Sequence, residues 1–97
     1  MLEIQELSSE ITNMLDAKRH AKHDVESSVI HLVEEVGEIA REVINKKFDR
    51  APTDVKKFEA EIADAFIMLA HIANLLGIDI ESSVKNKAEE LKVRYGV

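Results

Sequence analysis

Glu35-x-x-Glu38 and Glu61-x-x-Asp64 each place two carboxylates three residues apart, the spacing that sends side chains to one side of a helix. Such pairs can hold a hard divalent cation, move a proton or simply face water. The second pair interrupts the chain's most apolar stretch, since from Ile62 to Leu76 twelve of fifteen residues are apolar. A helix of that composition has no broad polar face to give to solvent, so Asp64 is expected to be buried. Burying a carboxylate is costly unless it is paired, protonated or bound to metal.

The two pairs can act together if their helices form an antiparallel hairpin turning between Lys47 and Thr53. The arms back to Glu38 and out to Glu61 are then nearly equal, which sets Glu38 opposite Glu61 and Glu35 opposite Asp64. Like charges about 4 Å apart repel by roughly 1 kcal/mol in water and about 4 kcal/mol at an effective dielectric near 20. Glu34, Glu38 and Glu42 add a like-charge series along the second helix. An external cation relieves this strain, and an all-carboxylate donor set suits Mg²⁺ or Mn²⁺ better than zinc. A plainer reading stands beside it: the acids of the second helix form a solvated face, Glu38 pairs with Arg41, and Glu61 pairs with Lys57. A di-iron carboxylate bundle needs Glu-x-x-His units, and the chain has none. His31 and His71 fall on the acid-bearing sides of their helices, as structural residues or as supports for a metal site. His20 and His23 stand in the first junction, as surface residues or substrate contacts.

Four helices are expected to position these residues. Leu2, Leu7, Ile11, Met14 and Leu15 mark an amphipathic first helix ending near His20. The second begins between Asp24 and Ser28, both good N-caps, with a stripe of Val25, Val29, Leu32, Val33, Val36, Ile39, Ala40 and Val43. Asn45 to Thr53 reads as the connection to a third helix that begins near Pro52 or Thr53 and ends at Gly77. Asp79 caps a fourth, carrying Ile80, Val84, Ala88 and Leu91 on one side and fraying at Gly96. An all-α fold follows, a four-helix bundle over residues 1–97 as a single domain. The third helix, apolar nearly all round, needs more cover than one neighbour supplies, so a homodimer or homotetramer is expected to complete the bundle.

Composition narrows the function. The chain of 97 residues has 45% apolar and 33% charged residues with one proline, which argues against disorder. Lacking cysteine, it has no disulfide framework and no thiolate-ligated metal site. A formal charge of -6 opposes nucleic-acid binding through phosphate contacts, so an anionic ligand needs a cation beside these carboxylates. The N-terminal segment has neither the basic start nor the apolar run of a signal peptide, and no apolar stretch is long enough for a bilayer span. A soluble cytoplasmic protein, associated with neither membrane nor nucleic acid, is the expectation.

The ordered motifs resemble those of the MazG-like all-α nucleoside triphosphate pyrophosphohydrolases. Glu34-Glu35-Val36-Gly37-Glu38 is similar to that family's Glu-Glu-x-x-Glu and Glu61-Ile62-Ala63-Asp64 to its Glu-x-x-Asp. The likeness runs on through Leu76-Gly77-Ile78-Asp79-Ile80 to Lys87 and Arg94-Tyr95. It implies Mg²⁺-dependent hydrolysis of (deoxy)nucleoside triphosphates to monophosphate and pyrophosphate, with Glu35, Glu38, Glu61 and Asp64 as metal ligands. It also implies that Glu34 orients or deprotonates the attacking water, and that Lys87 and Arg94 approach the phosphates. Their plainer roles are a surface acid and the cations of a solvated helix end. The chain departs from base-gripping members in lacking tryptophan, in having Met68 one turn after Asp64, and in Leu91 near the end of the last helix. Phosphoribosyl-ATP pyrophosphatase, with similar motifs, is the alternative enzyme. A helical interaction module or a nucleotide sensor without turnover is the alternative outside catalysis.

Overall fold

A computed structural model describes residues 2–19, 24–49 and 54–96. Four helices span them: α1 (Leu2–Arg19), α2 (Val25–Asp49), α3 (Val55–Leu75) and α4 (Ile80–Tyr95), with no strand among the described residues. The all-α expectation holds. His20, His23, Pro52 and Thr53 lie outside the described residues. The second helix runs to Asp49, past the break expected at Asn45, because nothing before the proline forbids helical backbone there.

The starts of α2, α3 and α4 are each fixed by an aspartate. Asp24 Oδ1 accepts from Ser27 N at 2.7 Å, Asp54 Oδ1 from Lys57 N at 3.2 Å, and Asp79 Oδ1 from Glu81 N at 3.1 Å and Ser82 N at 3.4 Å. These bonds satisfy amide donors that the first helical turn leaves open. The end of α3 is equally local: Gly77 takes φ 68°, and Ile78 N reaches back to Ala73 O at 2.8 Å. A side chain at Gly77 would strain that left-handed turn, which reverses the chain toward Asp79.

The helix α3 is central, packed against α2 on one side and α1 on the other. The α1 seam overturns the expected stripe. Leu7 and Met14 are exposed, while Gln5, Ser8 and Thr12 are buried. Small residues explain the inversion. Ala70 and Ala73 of α3 are buried here, and Ser8 is 0% exposed, so the two helices approach closely and polar side chains bond across the seam. Ser8 Oγ donates across the seam to Ile67 O at 2.7 Å, and within α1 Thr12 Oγ1 donates to Ser8 O at 2.8 Å.

Gln5 joins three elements. Its amide nitrogen donates to Asn74 Oδ1 at 3.0 Å and Ile78 O at 2.8 Å, its oxygen accepts from Ile80 N at 3.1 Å, and Asn74 Nδ2 donates to the Gln5 carbonyl at 2.9 Å. This knot ties the α3–α4 turn to α1. From it α4 leaves at 99° to α3, and none of its residues is buried.

The α2 stripe is also rotated from expectation. Val29, Val33, Val36 and Val43 are exposed, and the face toward α3 is made of Ser28, Leu32, Glu35, Ile39 and Glu42. Ile62, Phe66 and Leu69 on α3 are exposed as well. The radius of gyration is 16.2 Å, against about 13 Å for a compact chain of this length. The accessible surface of 7413 Å² likewise exceeds the roughly 5,600 Å² expected for a folded monomer of this mass.

Candidate active site

Antiparallel packing of α2 on α3 sets the register of the acids. Lys57 Nζ makes an ion pair with Glu42 Oε1 across the hairpin. Glu42 lies one turn after Glu38, and Lys57 lies one turn before Glu61, so this pair brings Glu38 level with Glu61. Both line one cleft of about 190 Å³ with Arg41, Glu42 and Lys57. One further turn away from the connection, Glu35 faces the second motif. Its carboxyl is held above the usual pKa by burial first, then by the charges of Glu38, Asp64, Glu61 and Glu34. The two acidic pairs therefore meet, as the hairpin argument requires.

Burial falls on different acids from those expected. Asp64 is exposed, whereas Glu61 is only 7% exposed. The apolar residues that flank Asp64 in sequence do not enclose it, because Ile62, Ala63 and Phe66 are themselves exposed. Glu61 instead points into the seam with α2. Glu35 Oε2 and Glu61 Oε2 are both buried without a hydrogen-bond partner, one from each motif. Orphaned carboxylate oxygens in one seam carry a desolvation cost that no hydrogen bond offsets.

Neither of the plain pairings is formed. Lys57 takes Glu42 rather than Glu61, and the hydrogen bond and charge of Glu42 hold its ammonium above the usual lysine pKa. Arg41 makes no ion pair with Glu38 within 4 Å among the described residues. Glu34, the expected water-orienting acid, is exposed, with Oε2 at 3.8 Å from His31 Nδ1. His71 is buried in α3 two turns beyond Asp64.

Lys87 and Arg94 are not brought to the acids of their own chain. Both lie on α4, paired with Glu90 at 3.5 and 3.7 Å, and α4 packs against α1 rather than α2. Sequence reasoning gave Arg41 and Lys57 only plain roles, yet they line the cleft. The signal was present in the register, since equal hairpin arms that pair Glu38 with Glu61 also pair Glu42 with Lys57.

A divalent cation fits this site by donor chemistry and charge: hard carboxylate oxygens on facing turns, two of them buried and unpartnered. Finished coordination geometry is a separate matter. Among the described residues no three acidic or histidine side chains converge closely enough to enclose an ion.

Residues 23–95 match the family model described as the MazG nucleotide pyrophosphohydrolase domain. No curated protein and no solved structure matches the chain. The matched span takes in α2, α3 and α4 and leaves out α1.

Proposed function

The chain belongs to the MazG nucleotide pyrophosphohydrolase domain family, and from that premise we propose that it hydrolyses nucleoside triphosphates to monophosphate and pyrophosphate, with Mg²⁺ as cofactor. The observation that carries this reading is the pair of buried, unpartnered oxygens of Glu35 and Glu61, contributed by the two motifs to one seam. A purely structural hairpin would satisfy or exclude such groups.

In this reading Glu35, Glu38, Glu61 and Asp64 hold the cation, with Mn²⁺ as a second choice. A bound divalent ion supplies positive charge against the triphosphate and lowers the pKa of water. Glu34 takes the proton from the attacking water, and its exposed carboxylate lies beside His31, where solvent can exchange that proton. The water oxygen bonds to the α-phosphorus, the bond from that phosphorus to the bridging oxygen breaks, and pyrophosphate leaves with the electron pair.

Oligomerisation belongs to the same proposal. The excess accessible surface, roughly 1,800 Å² on one chain, is about twice the roughly 800 Å² that each partner buries in a standard interface. The outward apolar faces of α2, α3 and α4 are the surfaces that a homodimer or homotetramer would cover. A second copy is also the route by which Lys87 and Arg94 could serve a site, since their own lies out of reach. Residues 1–97 act as one domain in this scheme, because α1 packs on α3 and is tied to the α3–α4 turn through Gln5.

The test is a panel of nucleotides incubated with Mg²⁺ and resolved for monophosphate and pyrophosphate. Turnover is expected in the wild type and lost in Glu38→Gln and Asp64→Asn. Undiminished turnover in either variant defeats the assignment of the site.

A further inference from the structure

Charge at the connection end of the cleft is distributed unevenly. Five side chains line it, Glu38, Arg41, Glu42, Lys57 and Glu61. Glu42 and Lys57 neutralise each other across the hairpin. That leaves two carboxylates and one guanidinium. Glu61 is more than nine-tenths buried, with Oε2 unpartnered. Arg41 is exposed and has neither an ion pair nor a hydrogen bond among the described residues, although Glu38 and Glu42 neighbour it on its own helix.

An uncommitted arginine at the mouth of an acidic cleft has a specific chemical use. Five N–H donors in a planar fork match two phosphate oxygens at once, and the guanidinium is charged at every physiological pH. A polyphosphate entering this cleft meets repulsion from Glu38 and Glu61. Arg41 is the cation in the lining that can offset it without first breaking an ion pair.

Building on the reading of the site as a nucleotide pyrophosphohydrolase centre, we propose that Arg41 binds the β- and γ-phosphates of the substrate and so fixes its direction in the cleft. The phosphate tail then points toward the α2–α3 connection, past Glu38 and Glu61. The nucleoside lies toward Glu35 and Asp64, at the end of the seam nearer the start of α2. In this arrangement the scissile bond falls among the four acids, and Arg41 holds the group that leaves. Arg41 is thus a substrate-contacting residue that distinguishes triphosphate from monophosphate.

The experiment is calorimetric titration, in Mg²⁺, of wild type, Arg41→Gln, Arg41→Lys and a control Lys85→Gln, whose lysine pairs with Glu81 on α4. The probes are inorganic pyrophosphate and a nucleoside monophosphate. Loss of a charge-assisted bidentate contact is expected to weaken pyrophosphate binding by about ten- to a hundredfold in Arg41→Gln. Monophosphate binding should stay within about twofold, the lysine variant should recover part of the loss, and the control should match wild type. Because Arg41 is exposed, folding of each variant is verified by its thermal midpoint in EDTA. Equal binding of pyrophosphate by wild type and Arg41→Gln overturns this proposal alone. Equal loss for both probes, or a loss matched by the control, overturns it in favour of general charge. A wild type that binds neither probe, with or without Mg²⁺, overturns the reading of the site together with it.

Discussion

Two seams meet on α3, and they treat buried polar groups in opposite ways. Along α1, the buried Gln5, Ser8 and Thr12 each have defined partners, from the 2.7 Å bond of Ser8 to Ile67 O to the three bonds of the Gln5 amide. Along α2, Glu35 and Glu61 bury oxygens that bond to nothing. Satisfied polar groups rigidify a seam and specify its register, whereas orphaned charges carry a cost that a bound cation or a proton relieves. The contrast separates the surface that builds the fold from the one available for chemistry.

The largest expected effect tests that separation directly. Glu61→Gln should reduce nucleotide hydrolysis by about 100-fold or more, since a lost ligand removes several kcal/mol of transition-state stabilisation. Initial rates under Mg²⁺ measure it. Retained activity would place Glu61 with the structural groups of the α1 seam.

Next in size is the response to metal. At 100 times its dissociation constant, Mg²⁺ should stabilise the wild type by about 2.7 kcal/mol, read from urea unfolding with and without EDTA. Glu61→Gln should lose most of that gain, while Thr12→Ala should keep it. An equal gain in every variant would mean that the metal binds elsewhere.

Gln5→Ala reverses the pattern. It strands Ile80 N, Ile78 O and Asn74 Oδ1, so about 1–3 kcal/mol of stability should be lost without metal while the Mg²⁺-dependent increment survives. If that increment disappears too, the two seams are coupled and the division between them fails.

The smallest effect concerns pH. The folded Glu35 carboxyl holds its proton more tightly than the unfolded one, because burial and neighbouring acids raise its pKa from 4.5. Folded protein therefore binds more protons, and the Glu35 contribution should lower stability as pH rises from about 4.5 through the raised value. Urea midpoints in EDTA should show that decline in the wild type and a shallower one in Glu35→Gln. Mg²⁺ should oppose it. A matching slope in the variant would assign the decline to other groups.

Much of this was legible from local pattern. Helix starts at Asp24 and Asp79, the reversal at Gly77 and the level pairing of the acids follow from capping chemistry and from equal hairpin arms. Burial was far less legible. Apolar spacing pointed to Leu7 and Met14 as the inner face of α1, but small residues on α3 let Gln5, Ser8 and Thr12 take that place. Asp64 was misjudged for a related reason: apolar neighbours in sequence bury a side chain only where another element covers them. The resemblance implied a role for Lys87 and Arg94 at the phosphates, but α4 leaves at 99° to α3 and both pair with Glu90 on their own helix.

By itself the sequence determined four helices, the caps at Asp24 and Asp79, the acidic motifs and their register, because each depends on residues within a few turns of one another. Only the tertiary structure decided which acid is buried, which cation stands uncommitted beside it and where α4 points. Those outcomes depend on how closely helices can approach and on which partners each polar group finds at the contact, and such terms are set between elements rather than along the chain.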